Sequence, residues 1–424
     1  MSAPVISHNF LKTIAQEYHV SNAELEVLSL AMHGESTAAI ASQLSISPDA
    51  VRKRLSEVYQ KFHISGRGPV KLNKLQQLLL KKFQEKPMSQ EINRQPRIDW
   101  GNAPDVSLFY DRTEELRMLS HWILEQKCRL VAVLGIGGMG KTVLTVKLAQ
   151  QIQEQFDFLV WRSLNHAPPL PQLLDNLIGT LSQGQGLPTL NTVEEQISWL
   201  IAHLRSSRCL IILDGIDSIL RDGQLAGVYQ PGYEIYDQFF RRIAEEPSRS
   251  CVLFTSREKI GVISLLEGNL FPVRSWQLAG LGNGAYQLLA EKGLSGESHW
   301  ESLIQGYRGN PLMLKLAAIT IQEVFDGNVT DFLDTTLFTD DVSDFVDNLL
   351  KRLSQVEAKI LGQIAQQQHP VCLPQLRENL SELSSQHILS AVASLSKRSL
   401  VEKSDRGFML PPVLTEVIKQ HHPT

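Results

Sequence analysis

The stretch Arg129-Leu-Val-Ala-Val-Leu-Gly-Ile-Gly-Gly-Met-Gly-Lys-Thr142 decides the fold. Its segment Gly135–Thr142 has the spacing glycine, four residues, glycine, lysine and a hydroxyl residue, which is typical of phosphate-binding loops. Glycines let successive backbone N–H groups converge on phosphate oxygens, the lysine reaches the β- and γ-phosphates, and the hydroxyl binds Mg²⁺. An apolar run precedes the loop and a helical pattern follows it, as the motif requires. The sequence therefore predicts a bound nucleotide.

Short apolar runs alternate with helical patterns after this loop. The runs are Phe158–Trp161, Cys209–Asp214, Cys251–Thr255 and Phe271–Ser275. Near-continuous apolar strands separated by helices predict a parallel sheet covered on both faces. The loop residues expected to contact the nucleotide are Gly135, Gly137, Gly138, Met139, Gly140, Lys141, Thr142 and Val143.

Two charged residues follow strands of the predicted sheet. Asp214 ends an apolar run, which is where such folds place a second Mg²⁺ contact beside the hydroxyl of Thr142. Its alternative role is a helix cap or turn residue. Arg257 lies just past the next strand, where it either contacts a γ-phosphate or forms a surface salt bridge.

The N-terminal residues 1–85 are predicted to be helical. Ser47 as N-cap and Pro48 at the first helical position start a helix that runs to Phe62. Two short helices before it complete a helix-turn-helix. Residues 47–86 hold ten Lys and Arg against three Asp and Glu, a local charge of +7, whereas the whole chain has −4. This basic segment predicts DNA as the partner, with a protein partner as the alternative.

The remaining chain divides by composition. Residues 86–105 contain three prolines and predict a linker before the nucleotide-binding domain at 106–278. A helical domain is expected at 279–340, where Asn310 and Pro311 start a helix, and a winged helix at 341–424. In that last domain one helix is predicted across Val346–Ile364 and a hairpin near Gly407. Its lack of a basic recognition helix predicts a structural or regulatory module.

Composition and cysteine usage predict a cytoplasmic protein. Hydrophobic residues make up 43% of 424 residues, no apolar run reaches about 18 residues, and the N-terminus lacks the pattern of a signal peptide. The four cysteines are widely spaced, and three open apolar runs, so we expect buried free thiols rather than a metal site. No membrane contact is expected.

Two segments resemble known families. The N-terminal motifs Glu24-Leu-Glu-Val-Leu28, Leu44-Ser-Ile-Ser47 and Val58-Tyr-Gln-Lys-Phe62 resemble the LuxR-type helix-turn-helix. In that family the third helix enters the major groove, which implies DNA contacts. Here the basic residues of that helix are Arg52, Lys53, Arg54 and Lys61.

Residues 98–422 are similar to the NB-ARC class of STAND nucleotide-binding switch proteins, in their bacterial, cyanobacterial form. The resemblance places the Walker B aspartate at Asp214, the arginine sensor at Arg257, and the adenine-packing proline at Pro311 within Gly309-Asn-Pro-Leu312. It implies an α/β P-loop NTPase that binds ADP or ATP with Mg²⁺. In the family, ADP holds the domains closed, and ATP opens them and permits homo-oligomerisation.

Three departures from the family limit what the resemblance implies. Gly215 stands where a second acid often follows the Walker B aspartate, so any catalytic base beside Asp214 would be Asp217, and we expect a slow ATPase at most. The segment Met409–Pro412 lacks the histidine that senses the ADP β-phosphate in the family's winged helix. No repeat region follows it, so a sensor or effector is expected from a separate partner.

The sequence thus predicts a nucleotide-dependent signalling switch. Its output is expected from the N-terminal helix-turn-helix, most simply as transcriptional regulation. The alternative is a signalling or defence scaffold whose N-terminal domain recruits a protein.

Overall fold

The structure is a computed structural model that describes residues 14–15, 18, 20–32, 35–44, 46–64, 66, 69–85, 96–182, 190–268 and 271–421. Two compact units are separated between Arg94 and Gln95. Residues 86–95 of the predicted linker lie outside the described residues.

The first unit is helical. Its helices are α1 (Asn22–Met32), α2 (Thr37–Gln43), α3 (Pro48–Lys61) and α4 (Pro69–Glu85). The predicted cap is confirmed, because Ser47 accepts a hydrogen bond from the N–H of Ala50. Ser36 caps α2 in the same way and accepts a hydrogen bond from the N–H of Ala39. Val27 of α1 and Val51 of α3 are fully buried, so the apolar faces of these helices meet in a small core.

A six-stranded parallel sheet forms the centre of the second unit. Its strands are β1 (Arg97–Asp99), β2 (Leu130–Leu134), β3 (Phe158–Ser163), β4 (Cys209–Asp214), β5 (Cys251–Ser256) and β6 (Val273–Gln277). Their order is β1-β3-β4-β5-β2-β6, and every neighbouring pair is parallel. The α/β fold with a parallel sheet is therefore confirmed. Because β5 lies between β2 and β4, the phosphate loop, Asp214 and Arg257 all lie at the carboxyl ends of adjacent strands.

The linker prediction was wrong at its C-terminal end. Arg97–Asp99 forms β1 and pairs with Phe158–Val160 at the edge of the sheet. The sequence did not indicate this strand, because its three residues include two charged ones and form no apolar run. The guanidinium of Arg162 on β3 lies 2.6 Å from the carboxylate of Asp99 and fixes the added strand.

Both faces of the sheet are covered by helices. The covering helices around the strands are α5 (Thr113–Leu124), α6 (Lys141–Ile152), α7 (Leu170–Leu181), α8 (Val193–Ser206), α9 (Ile235–Glu245) and α10 (Gly261–Leu266). On β2, Val131 and Val133 face one apolar cluster, whereas Leu130 and Ala132 face the other. Successive side chains of β2 thus point to opposite faces of the sheet. Because helices cover both faces, every residue of the strand is apolar.

A run of short helices follows the sheet. They are α11 (Gly284–Glu291), α12 (Trp300–Gly306), α13 (Pro311–Val324), α14 (Val329–Thr335) and α15 (Asp340–Leu350). The prediction of a single helix across Val346–Ile364 was wrong, because α15 ends at Leu350. Ser354 and Glu357 form a capping box there and start a new helix, α16 (Gln355–Ala365).

The C-terminal region has the predicted winged-helix elements. Helices α16, α17 (Leu373–Asn379) and α18 (Ser385–Lys397) precede the hairpin β7 (Glu402–Ser404) and β8 (Gly407–Met409), and α19 (Pro412–His421) follows. An isolated bridge between Val371 and Phe408 adds a third extended segment to the hairpin. Apolar side chains of these helices are continuous with one face of the sheet.

Within the described residues, no helix is long and apolar enough to cross a membrane. The prediction of free thiols is confirmed, with Cys128, Cys209 and Cys251 buried and Cys372 half-buried.

Candidate nucleotide-binding site

The phosphate loop joins β2 to α6. Gly138 and Gly140 have φ angles of 78° and 87°, which are in the left-handed region that favours glycine. A Cβ on Gly138 would also lie 2.7 Å from Oδ1 of Asn310, so no larger residue fits. The backbone conformation of the loop therefore requires glycine at these positions. The loop leads directly into the first turn of α6, which begins at Lys141.

Lys141 is held by the loop itself. Its Nζ donates hydrogen bonds to the carbonyl oxygens of Gly135 at 2.7 Å and Ile136 at 2.9 Å. Burial lowers the pKa of Lys141 to about 8; Arg257 adds to the shift, whereas Asp217 and Asp214 oppose it. A phosphate near Nζ would favour the charged form and raise the pKa again, so Lys141 suits an anion.

Thr142 and Asp214 form the candidate magnesium site. The hydroxyl of Thr142 donates to Oδ1 of Asp214 at 2.8 Å, and the hydroxyl of Thr255 donates to the same oxygen at 2.7 Å. Asp214 is only 8% exposed, and burial raises its pKa against the effect of both hydrogen bonds. Hydroxyl and carboxylate oxygens are what Mg²⁺ prefers, so these residues fit the ion. They would hold it beside the nucleotide phosphates, where it neutralises charge.

Asp217 and Arg257 form an ion pair across the same end of the sheet. Nε of Arg257 lies 3.2 Å from Oδ2 of Asp217, and the backbone N–H of Arg257 donates to Oδ1 at 3.1 Å. Asp217 is therefore paired with both the side chain and the backbone of Arg257. Gly215 has a φ of 84° and begins a short 3-10 turn, so the backbone explains why no acid follows Asp214.

The amino end of α13 covers the phosphate loop. Asn310 is fully buried, caps α13 through the N–H groups of Leu312 and Met313, and donates its Nδ2 to the carbonyl of Gly137 at 3.0 Å. Pro311 at the first helical position lines the cavity above the loop.

Arg112 is a site residue that sequence reasoning missed. Its side chain, 5% exposed, donates to the carbonyl oxygens of Met139, Ala279 and Gly280 at 2.9 to 3.1 Å. It thus connects the phosphate loop to the segment after β6. The only sequence signal was a basic residue before a helix, which is common on surfaces.

These residues surround one cavity of about 450 Å³. Its walls come from the phosphate loop, the ends of β4 and β5, the start of α13, and the segment before α5. Leu108, Phe109 and Tyr110 of that segment form an apolar wall, and Nζ of Lys315 lies 5.8 Å from the centroid of the Tyr110 ring. Within the described part of the chain, Met409–Pro412 does not contribute to the lining.

The basic helix α3 belongs to the first unit. Arg52 and Lys53 are exposed and Arg54 is half-buried. Lys61 instead lies 2.5 Å from the buried carboxylate of Glu24 on α1. This ion pair gives Lys61 a role in the domain's own stability.

Comparisons with known proteins agree with this architecture. A family model described as the NB-ARC domain matches residues 112–260, and one for bacterial regulatory proteins of the luxR family matches residues 18–69. An uncharacterized WD repeat-containing protein of Nostoc sp. is 42% identical over 342 residues, which are 77% of this chain and 27% of that protein. A disease resistance protein of Vitis rotundifolia is 26% identical over 103 residues, 23% of this chain and 7% of that protein.

The chain thus spans about a quarter of the Nostoc relative. Among solved structures, a Walker-type ATPase of Pyrococcus abyssi superposes with a TM-score of 0.53 at 15% identity, covering 73% of this chain and 96% of that chain. That likeness shows the fold alone. This chain therefore contains a LuxR-type helix-turn-helix domain followed by an NB-ARC domain with the P-loop ATPase fold.

Proposed function

We propose that this chain is a signalling switch of the STAND class that binds ADP or ATP with Mg²⁺ and couples the bound nucleotide to its helix-turn-helix domain. Gly137, Gly138 and Gly140 would cradle the phosphates, and Lys141 would neutralise them. Thr142 and Asp214 would hold Mg²⁺. The cavity above them has an apolar wall that suits an adenine ring.

The observation that carries the switch is the position of Arg257. Its side chain lines the cavity, and the next residue, Glu258, is 1% exposed and ion-paired to Arg398 at the end of α18. A γ-phosphate that attracts Arg257 would compete with Asp217 for the same guanidinium. Moving Arg257 from Asp217 to the γ-phosphate would shift the backbone next to Glu258, which is ion-paired to Arg398 of the winged helix.

Helix α15 provides a second connection to the phosphate loop. A Cβ on Gly137 would lie 3.2 Å from Cζ of Phe345 and 3.4 Å from a methyl carbon of Leu349. Movement of the loop would therefore displace α15, which leads directly into the winged helix. Slow turnover fits this role, because Gly215 carries no acid beside Asp214.

The proposed output is DNA binding by α3. Arg52 and Lys53 are exposed, and Arg54 is partly so, which suits contact with phosphates. Such contacts release counterions, so the affinity should fall steeply as salt increases.

The test uses the full chain. Nucleotide released on denaturation is identified by chromatography, and duplex DNA is titrated at several salt concentrations with ADP or with a non-hydrolysable ATP analogue. We expect salt-dependent binding that changes with the nucleotide. R52E/K53E should abolish DNA binding and leave nucleotide binding intact, whereas Lys141→Ala should remove the nucleotide effect.

An affinity that is the same with either nucleotide would overturn the coupling. Absence of DNA binding at any salt concentration, with nucleotide still bound, would favour the protein-recruiting scaffold.

A further inference from the structure

Asn165 lines the cavity but belongs neither to the phosphate loop nor to the Asp217–Arg257 ion pair. It follows the end of β3, and the N–H of the preceding Leu164 donates to the carbonyl of Asp214 at 2.7 Å. This bond fixes the start of the loop beside the carboxyl end of β4. Asn165 is exposed in the cavity that also contains Lys141, Thr142 and Asp214.

The side chain of Asn165 occupies the space next to Gly215. A Cβ on Gly215 would lie 2.6 Å from Oδ1 of Asn165, which is closer than Cβ contacts allow. The amide of Asn165 therefore occupies the space that the Cβ of any larger residue at position 215 would need. With its oxygen over Gly215, the amide keeps two N–H donors on Nδ2.

Other polar groups at this end of the cavity already have partners. Oδ1 of Asp214 accepts from Thr142 and Thr255, and Asp217 is held by Arg257. Among the described residues, the side-chain amide of Asn165 has no hydrogen-bond partner. Its backbone N–H instead contacts the hydroxyl of Ser163 at 3.3 Å. The amide is thus a donor available to a ligand.

We propose that Nδ2 of Asn165 donates a hydrogen bond to the γ-phosphate of a nucleoside triphosphate and so distinguishes ATP from ADP. This inference rests on the proposed function and names a residue that reads the nucleotide state. A γ-phosphate held by Lys141 and the Thr142–Asp214 pair would lie in the cavity that Asn165 also lines. A neutral amide can donate to this anion, whereas a carboxylate at the same position would repel it.

The test measures the affinities of the full chain for ADP and for the non-hydrolysable analogue AMP-PNP, both with Mg²⁺, by calorimetry. Asn165→Ala should weaken AMP-PNP binding about ten- to a hundredfold and leave the ADP affinity within twofold, because only the triphosphate loses a charge-assisted hydrogen bond. Asn165→Asp should weaken AMP-PNP further.

His166→Ala is the matched control, since this exposed neighbour does not line the cavity, and it should change neither affinity. Equal weakening of both nucleotides in Asn165→Ala, or no change in either, would overturn the role of Asn165 while the proposed function stands. A wild-type chain that bound neither nucleotide would overturn the proposed function itself.

Discussion

The guanidinium of Arg398 lies 2.5 Å from the carboxylate of Glu258, and the two side chains are 4% and 1% exposed. The same arginine donates to Glu357 of α16 at 3.0 Å, and Arg352 donates to Glu258 at 2.9 Å. Two arginines and two glutamates thus form a buried charge network. Since Glu258 directly follows Arg257, this network connects the cavity to the winged helix.

Replacing Glu258 with glutamine should destabilise the second unit by about 3–5 kcal/mol, because the buried guanidinium of Arg398 and the half-buried one of Arg352 lose their shared carboxylate. The free energy of unfolding can be measured in urea by tryptophan fluorescence. All six tryptophans lie between residues 100 and 300, so the signal comes from this unit alone.

Glu114→Gln is the control for the Glu258 variant. Glu114 pairs with Arg117 on the surface, where both side chains are more than 60% exposed. Its loss should change the free energy by less than about 0.5 kcal/mol. A Glu258 variant as stable as this control would contradict a structural role for the network.

Nucleotide affinity should fall above pH 8. Burial lowers the pKa of Lys141 to about 8 in the free chain, and bound phosphates favour the charged ammonium, which raises the pKa in the complex. Binding therefore takes up a proton above pH 8, and the affinity for ADP should weaken by up to about tenfold per pH unit there.

Calorimetry with ADP between pH 7.5 and 9.5 measures this dependence. Lys141→Arg provides the control, because a guanidinium stays charged over the whole range and should bind ADP with little pH dependence. A flat profile for the wild-type chain would show that Lys141 does not control the anion affinity.

The local patterns of the sequence were sufficient for much of the site. The phosphate loop follows from glycine spacing, Asp214 from its place at the end of an apolar run, and the start of α13 from Asn310 before Pro311. Each feature depends on residues close together in the chain. The parallel sheet was likewise predictable, since its central strands are apolar on both faces.

The features that were missed depend on residues distant in the chain. Arg112 acts through carbonyl groups of Met139 and of the segment after β6, and Glu258 meets Arg398 across 140 positions. The sequence shows that a residue is charged but does not show which distant residue it pairs with. Strand β1 was missed for the same reason, because pairing with β3 and the contact to Arg162 stabilise it.

Replacing Gly215 with alanine should destabilise the chain more than the same change at Gly232. Both glycines have positive φ, 84° and 89°, so each substitution carries a backbone cost of about 1–2 kcal/mol. A Cβ at Gly232 meets nothing within 4 Å, whereas at Gly215 it meets Asn165. Urea unfolding of both variants measures the difference. Equal losses would mean that Asn165 moves aside freely.

The ion pair between Glu24 and Lys61 should stabilise the helix-turn-helix domain in a pH-dependent way. Burial alone would raise the pKa of Glu24, but hydrogen bonds from Lys61 and Ser21 lower it to about 2. A carboxylate with a lowered pKa contributes stability that is complete above about pH 4.5 and is lost as the pH falls towards 2. Glu24→Gln should therefore lower the stability of α1 and α3 by about 1.5–3 kcal/mol at neutral pH.

Hydrogen exchange of peptides from residues 20–62 in the full chain measures this loss, and Glu26→Gln on the exposed side of α1 is the control. If both variants exchanged like the wild type at pH 7, the pair would contribute nothing to the domain, and Lys61 would be free to contact DNA.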